Sequence, residues 1–295
     1  MITTFPVFSA LDISHKPEIE AITHRFKPYS DFNFTSLFAW DTDGSTQISQ
    51  LHDNLIIRLP HYLTGEPTIS LLGNTRIPET VGRLLDTTSK LELVPETVIK
   101  ELPSTTHYLV SEDRDNFDYL LRLEPIIAME GADFKKKRNK VNGVKAAVGS
   151  DVSVITSAGT EHVELIKETF IQWATQYAKA MDGEAAAEFT ALSRLLENID
   201  DFNVLITCVF VGKRLAGFSI NEVLTDNMAI CHFEKALEPP ENIATYVSYV
   251  VAQELQEIGC NSVNWEQDLG IAGLRQAKLS YKPYEFLKKY SLTRS

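Results

Sequence analysis

The chain has few of the residues that hold small or secreted proteins together. Its 295 residues include three cysteines, at positions 208, 231 and 260, and no two of them have the short spacing of a zinc site. An odd number of cysteines in apolar segments indicates buried thiols in a reducing compartment. A chain of this length can bury enough apolar surface to fold as one large domain or two smaller ones without disulfides or structural metal.

The sequence also lacks long apolar runs and several catalytic motifs. No stretch approaches the ~20 continuous apolar residues of a membrane-spanning helix, and residues 1–6 lack the basic start and apolar core of a secretion signal. Gly-x-Ser-x-Gly, P-loop and Gly-x-Gly-x-x-Gly motifs are absent, and the seven histidines form no metal-binding pair. We therefore expect a cytoplasmic protein with no transmembrane segment and no metal.

Positive charge is scarce overall but concentrated in two places. The chain has 28 basic and 40 acidic residues, a formal net charge of −12, which argues against a general nucleic-acid coat protein. Residues 132–150 nevertheless hold six basic residues against one acid, and residues 275–295 repeat that ratio. Each run alone is typical of a solvated surface, whereas two runs in an acidic chain favour a site for an anionic, phosphorylated ligand.

Hydrophobic periodicity predicts a distinctive order of elements in the second half. Two helices precede three strands at about 204–211, 215–224 and 228–235, and a helix at 243–258 and a strand at 262–265 follow. This is the order of an acyltransferase domain of the GNAT superfamily. The first half reads as a second copy, so we expect an α+β fold with mixed, mostly antiparallel sheets flanked by helices. The predicted tandem GNAT-like domains are residues 1–145 and 146–295.

Three sequence motifs identify a family. They are the basic run Lys135–Asn142, the strand segment His232–Ala236, and Asn264–Gly270 followed by a helix and Lys288-Lys289-Tyr290. In this order and spacing they resemble a bacterial family of proteins similar to the C-terminal domain of phosphatidylglycerol lysyltransferase. The resemblance implies tandem GNAT-like domains related to the aminoacyl-tRNA-dependent transferases that build peptide bridges and aminoacylated lipids.

The chain departs from the patterns of these relatives at two positions. Trp265 stands where the family commonly has arginine, so an anion contact made by that residue is not expected here. Acyl-CoA-dependent GNAT enzymes bind pyrophosphate on a glycine-rich turn at a helix N-terminus. The corresponding segment here contains no glycine, and Pro239-Pro240 lacks two N–H donors while Glu238 and Glu241 repel anions. We therefore expect an aminoacyl-tRNA co-substrate rather than coenzyme A.

Aminoacyl transfer needs a proton acceptor and donors for the oxyanion. Glu234, near the end of the third strand, faces the point where GNAT sheets open and is the first candidate base, with Glu266 as the second. An ion pair with a nearby lysine or arginine is the alternative role for Glu234. We expect Asp268 to cap the helix that begins near Ile271, and Glu222 to be either a sheet-surface or a buried, paired acid.

The remaining candidates bind or support the ligand. Because of the resemblance, Lys137, Arg138 and Asn139 are assigned to phosphate contact. A single polar cluster of Glu234, Glu266, Asp268, Arg275 and Lys278 is expected, as a site or as a structural network. The full predicted sets are Lys137, Arg138, Asn139, Arg275, Lys278 and Lys289 for the anionic ligand, with Glu222, Asn264, Asp268, Tyr281 and Tyr290 in support.

The predicted function is transfer of an aminoacyl group from a charged tRNA, or a similar phosphorylated donor, to an amine or hydroxyl. Two alternatives stay open. One is an acyl-CoA-dependent N-acetyltransferase, and the other is a non-catalytic module that binds a nucleotide, a tRNA acceptor end or a lipid head group. The predicted partner is in each case an anionic, phosphorylated molecule.

Overall fold

A computed structural model describes residues 1–61, 64–103, 107–177, 183–224 and 227–295. These residues form two compact units, each with its own apolar core. Unit 1 comprises residues 1–119, 267–276 and 285–295, and unit 2 comprises residues 120–266 and 277–284. Each unit therefore combines segments that are far apart in the sequence, and the predicted division at residue 145 stays a prediction.

Strands and helices follow one another in a mixed α+β order, which confirms the predicted fold class. The strands are β1 (Ser9–Ala10), β2 (Gln47–Leu51), β3 (Asn54–Pro60), β4 (Pro67–Leu72), β5 (Lys90–Pro95), β6 (Tyr108–Glu112), β7 (Asp118–Arg122), β8 (Val152–Ser157), β9 (Val204–Val211), β10 (Arg214–Val223), β11 (Met228–Ala236), β12 (Ser262–Asn264), β13 (Glu285–Leu287) and β14 (Lys289–Arg294). The helices are α1 (Lys16–Thr23), α2 (Phe34–Trp40), α3 (Ile77–Leu85), α4 (Glu96–Lys100), α5 (Leu123–Ala128), α6 (Lys135–Val148), α7 (Val163–Gln176), α8 (Glu184–Glu197), α9 (Ile243–Glu257) and α10 (Ala272–Leu279). None of the helices in the described ranges is both long enough and apolar enough to cross a bilayer.

Unit 1 contains two antiparallel sheets. The first has the order β1-β2-β3-β4, and its central hairpin turns at His52 and Asp53, whose φ angles of 52° and 65° fit a tight two-residue turn. In the second sheet, the last strand of the chain, β14, lies between β5 and β6. Helix α3 packs against this part of the unit through buried residues at helical spacing, including Ile77, Val81 and Leu84. The C-terminal segment is therefore an internal part of the fold of unit 1.

Unit 2 is built on a sheet in which six strands have the order β7-β12-β11-β10-β9-β8. Strands β8 to β11 form an antiparallel meander, β12 runs parallel to β11, and residues 120–122 of β7 pair antiparallel with β12. Helices α5, α6 and α9 share one apolar core with the sheet, while α7 contacts β10 and β11. The predicted sequence of three strands, a helix and a fourth strand is confirmed in unit 2.

Candidate functional site

The candidate site lies in unit 2, where β11 and β12 cease to pair. Their parallel pairing covers Met228–Ile230 of β11 and Ser262–Asn264 of β12. Because β12 ends there while β11 continues to Ala236, the second part of β11 extends past its neighbour. The sheet therefore opens beside Glu234, as the strand order predicts.

A β-bulge in β11 determines which way Glu234 points. The pairing with β10 passes from Cys231 directly to Phe233, so His232 is an extra residue in the strand. In a regular strand, side chains three residues apart point to opposite faces. Here Cys231 packs into the core shared with α9, and Glu234 also points to that side, where it meets Ser248 of α9. The bulge therefore reverses the alternation and brings Glu234 to the α9 face.

Helix α9 lies close to the sheet because β10 has a glycine beneath it. A Cβ atom added to Gly217 would lie 2.5 Å from a methyl carbon of Val247 on α9 and 3.0 Å from the carbonyl oxygen of Lys235. Both contacts are shorter than van der Waals distances, so a larger residue would push the helix away. This close approach places Ser248, the residue after Val247, within hydrogen-bonding reach of β11.

The Glu234 carboxylate is enclosed but only half satisfied. Its Oε1 accepts a hydrogen bond of 2.6 Å from the hydroxyl of Ser248. Its Oε2 is buried and has no hydrogen-bond partner among the described residues. Burial raises the pKa of Glu234 to about 7, although the Ser248 hydrogen bond and the charges of Lys235 and Lys278 oppose that change. Glu234 is therefore a carboxylate that can take up and release a proton near neutral pH.

Tyr281 lies near this carboxylate in the core of unit 2, and Lys137 packs against the Tyr281 ring. Burial raises the pKa of Tyr281, and the charge of Glu234 adds to the effect, while hydrogen bonding with Ser248 and Thr245 opposes it. The ring of Tyr281 packs edge-on against Trp265 at a centroid distance of 4.8 Å. The ammonium group of Lys137 lies 4.3 Å from the centre of the Tyr281 ring, a cation–π arrangement.

Lys137 is a buried cation held by neutral groups. It is 8% exposed, and its Nζ donates to the carbonyl oxygen of Ser280 at 2.5 Å. Burial lowers the pKa of Lys137, and repulsion from Lys140 and Lys282 lowers it further, against the attraction of Asp133. No carboxylate lies within ion-pairing distance of Lys137 in the described part of the chain. Lys137, which is predicted to contact phosphate, therefore lies in a locally positive region.

A second cluster combines Glu222, His232 and Glu266. The two ring nitrogens of His232 each lie 3.3 Å from a carboxylate oxygen, Nε2 from Glu222 and Nδ1 from Glu266. Burial of the imidazole disfavours its charged form, but the two carboxylates outweigh that effect and raise the pKa of His232 to about 9. The two carboxylates therefore favour the protonated form of the imidazole at neutral pH.

The strand end after β12 holds Glu266 in place. Asn264 is fully buried, and its Oδ1 accepts the backbone N–H of Glu266 at 2.8 Å. Glu266 has a φ of 52°, which lies in the left-handed region that is uncommon for a glutamate. Lys278 donates to the carbonyl oxygen of Trp265. Asn264 and Lys278, both predicted as site residues, thus fix the backbone on either side of Trp265.

Arg138 and Asn139, the other predicted phosphate ligands, follow Lys137 on α6. Arg138 is partly buried, and its guanidinium donates to the backbone carbonyl of Met129, while Asn139 is exposed. Their assignment to phosphate contact stays a prediction.

Asp268 and Arg275 belong to unit 1, where they form a buried ionic network. Both carboxylate oxygens of Asp268 accept from Arg275, at 2.6 and 2.8 Å, and Oδ2 also accepts from Arg114 and from the hydroxyl of Tyr119. The Oδ1 atom accepts the backbone N–H of Gly270 at 2.9 Å, two residues on. Asp268 therefore closes a local turn and anchors Arg275. This role differs from the predicted one, in which Asp268 caps the helix that follows.

Lys289 and Tyr290 also belong to unit 1, on β14. Lys289 is fully buried and forms ion pairs with Asp31 and with Asp118, the latter at 2.7 Å. Burial of the ammonium disfavours its charge, but the two carboxylates outweigh that effect and raise its pKa. The hydroxyl of Tyr290 donates to Glu112 on β6 at 3.5 Å. The charge of Lys289 is thus neutralised inside unit 1, and the roles predicted for both residues stay predictions.

Sequence reasoning identified neither Ser248 nor a role for His232. Ser248 lies in an apolar helix in which no motif marks it. The bulge at His232 has no sequence signal either, since neither glycine nor proline occurs in β11. Among the described residues, no three metal-binding side chains form a group that could hold a metal ion.

Comparisons with known proteins extend these observations to a family. A family model described as phosphatidylglycerol lysyltransferase, C-terminal, matches residues 23–293. A conserved protein of unknown function from Bacteroides thetaiotaomicron has a similar structure, with a TM-score of 0.85, 21% identity and full coverage of both chains. L-PGS from Bacillus licheniformis gives a TM-score of 0.60 at 13% identity, covering 94% of this chain and 91% of its own. A tandem GNAT protein from the clavulanic acid biosynthesis pathway gives a TM-score of 0.50 at 13% identity, with 98% coverage of each. No curated protein matches the chain. At these identities, the structural likenesses show the fold alone.

Proposed function

The chain belongs to the family described as phosphatidylglycerol lysyltransferase, C-terminal, and we propose that it transfers an aminoacyl group from a charged tRNA to an amine or hydroxyl. The family and the fold are those of acyl and aminoacyl transferases. Donor and acceptor are the specific part of the proposal. They rest on the chemistry of the residues around the opening between β11 and β12.

Glu234 carries the proposal. In aminoacyl transfer, the acceptor nitrogen or oxygen attacks the ester carbonyl of the donor and loses a proton, and the ribose hydroxyl of the tRNA leaves. A general base works best when its pKa is near the operating pH, and burial raises the pKa of Glu234 to about 7. Its Oε2 is the acceptor atom without a partner among the described residues. We assign the proton of the attacking group to that oxygen.

The positive region at Lys137 supports a phosphorylated donor. A buried ammonium near Lys140 and Lys282 gains stability when an anion binds beside it. Lys135 and Lys136 lie on the exposed face of the same helix, α6, and add to its positive charge. Phosphate groups of the acceptor end of a tRNA have the charge that this helix would attract.

The N-terminus of α9 favours tRNA over coenzyme A as the donor. In coenzyme A-dependent enzymes this helix end supplies backbone N–H groups to pyrophosphate. Here Oε1 of Glu238 accepts the N–H of Asn242 at 3.2 Å, so a carboxylate of the chain itself lies at that helix end. Pro239 and Pro240 supply no N–H groups. A bound pyrophosphate would have to displace an anion of the protein.

The test is a transfer assay with defined donors. The chain is incubated with radiolabelled lysyl-tRNA or alanyl-tRNA, or with labelled acetyl-CoA, together with putrescine, free lysine or phosphatidylglycerol vesicles. We expect tRNA deacylation that depends on one of the acceptors, a rate that rises with pH through about 7, and no transfer from acetyl-CoA. Glu234→Gln should lower the rate about 100-fold or more, whereas Glu257→Gln, at an exposed position of α9, should leave it unchanged.

Two results would reject parts of the proposal. Transfer from acetyl-CoA alone would reject the tRNA donor and identify an N-acetyltransferase. Salt-sensitive tRNA binding with no turnover, unaffected by Glu234→Gln and Glu266→Gln, would identify a binding module instead of an enzyme.

A further inference from the structure

Ser248 is the polar residue of α9 that reaches the carboxylate on β11. It is 7% exposed, and the contact of α9 with Gly217 holds it close to the sheet. Its hydroxyl lies 2.6 Å from Oε1 of Glu234 and 3.1 Å from the carbonyl oxygen of Ala244, one helical turn earlier. A serine hydroxyl has one hydrogen to donate, and a carboxylate is a stronger acceptor than a backbone carbonyl.

The two oxygens of Glu234 are therefore unequal. Oε1 is held by Ser248, and Oε2 remains the acceptor that no described group satisfies. We propose that Ser248 is a positioning residue, which fixes the Glu234 carboxylate so that Oε2 is presented to the proton of the attacking group. This inference rests on the proposed function, but its physical basis is the hydrogen bond itself.

The hydrogen bond also sets the acidity of the base. Donation from Ser248 stabilises the charged form of Glu234 and lowers its pKa, against the larger effect of burial. Other titratable groups around Glu234 are Lys235 and Cys231 on β11, Lys278 on α10, and Tyr281, which follows α10. All of these groups remain when the hydroxyl is removed. The Ser248 hydroxyl also hydrogen-bonds Tyr281, so Ser248→Ala removes that contact together with the donation to Glu234.

The experiment measures the titration of Glu234 directly. Carbon-13 NMR of glutamate side-chain carboxyls, with the Glu234 signal assigned from Glu234→Gln, gives its midpoint with or without any activity. Ser248→Ala should raise that midpoint by about one pH unit, because a hydrogen bond to a charged group is worth about that much. Ser248→Thr, which keeps the hydroxyl, should restore the wild-type midpoint. Ser193→Ala in α8 is the matched control, because the Ser193 hydroxyl has no hydrogen-bond partner among the described residues.

The transfer assay then reports on positioning. The pH dependence of the rate in Ser248→Ala should shift by the same amount as the NMR midpoint, and Ser248→Thr should reverse both shifts. An unchanged midpoint in Ser248→Ala overturns the inference. A shifted midpoint in a chain that transfers nothing from aminoacyl-tRNA supports the hydrogen-bond assignment and rejects the proposed function, so the two failures are distinguishable.

Discussion

Removal of the Asp268 carboxylate tests whether this residue is structural. A helix cap is worth about 0.5–2 kcal/mol, and that is the cost expected if Asp268 only capped α10. The structure gives it more partners. Its buried carboxylate accepts from Arg275, Arg114, Tyr119 and the Gly270 backbone. Breaking a buried ion pair by removing one partner costs about 3–5 kcal/mol, because the remaining charges are left uncompensated.

The partners of Asp268 place the expected cost at the lower end of that range. The side chains of Arg275 and Arg114 are 30% and 34% exposed, so water can solvate both guanidinium groups after the carboxylate is lost. We expect Asp268→Ala to lower the free energy of unfolding of unit 1 by about 3 kcal/mol. With a urea m-value of about 2 kcal/mol/M, the unfolding midpoint would fall by about 1.5 M.

Tryptophan fluorescence can follow unit 1 alone. Of the three tryptophans, Trp40 lies in unit 1, and Trp173 and Trp265 lie in unit 2. Urea unfolding in a background with both unit 2 tryptophans replaced by phenylalanine therefore reports on unit 1. Asp86→Ala is the matched control, since Asp86 pairs with Arg294 at the surface and exposed pairs contribute about 0–1 kcal/mol.

The pH dependence provides a second check of the same network. Burial raises the pKa of Asp268, but its hydrogen bonds to Arg275, Tyr119 and Gly270 outweigh that effect and hold it below its usual value. The stability from this carboxylate is therefore present above the unfolded-state pKa of about 3.9 and is lost as the pH falls through the folded-state value. A loss of less than 1 kcal/mol at pH 7, with abolished transfer, would refute the structural assignment and make Asp268 part of the transfer machinery.

Two further stability predictions follow from the buried ionic groups. Lys289→Met should destabilise unit 1 by about 3–5 kcal/mol in the Trp40 assay, because Asp31 and Asp118 would lose their shared cation. Lys288→Met, at the half-buried neighbouring position, should cost about 0–1 kcal/mol, and similar costs for both would contradict the ion-pair assignment. The His232 interactions stabilise unit 2 fully below the unfolded pKa of about 6.5, and that stability is lost as the pH rises through about 9. In urea unfolding followed by tryptophan fluorescence, His232→Gln should remove this pH dependence between about 6.5 and 9, and an unchanged slope would mean that the folded-state pKa is not raised.

The elements of unit 2 could be predicted from the sequence because their signals are local. Strands β9, β10 and β11 are apolar runs separated by turns. Helix α9 ends before Gly259, whose φ of 96° is a conformation that favours glycine. The hairpin of unit 1, which turns at His52 and Asp53, is a local element of the same kind. The order of these elements sufficed to identify the fold class.

The set of segments that make up unit 1 could not be predicted, because it depends on pairing between distant parts of the chain. Strand β14 inserts between β5 and β6, and residues 267–276 join the same unit. A run of extended residues at a chain end contains no information on which strands it will pair with. The single cluster expected around Glu234 and Asp268 illustrates the consequence. Arg275 and Lys278 were grouped with these acids because they share one helix face, whereas the structure assigns Asp268 and Arg275 to unit 1 and Glu234 to unit 2.

Lysines in the two basic runs show why charge density alone did not define a site. Lys289 is fully buried between two carboxylates, so its charge is used within the fold. Lys137 is almost as buried, but its described polar contact is a carbonyl oxygen, and burial together with two other lysines lowers its pKa. Only the partners, which come from distant segments, distinguish a structural cation from one that an anionic ligand would stabilise.

The same comparison between two acids gives the clearest physical basis for the proposed chemistry. Burial opposes the charge of both Asp268 and Glu234, yet their pKa values move in opposite directions. Five hydrogen bonds from four residues keep Asp268 ionised, so it has no capacity to accept a proton at neutral pH. One hydroxyl holds Glu234, and the second oxygen is left without a described donor, so a proton can bind there near pH 7. A buried acid acts as a base when its desolvation is only partly compensated, and in this chain the bulge at His232 and the close approach of α9 create that condition at Glu234.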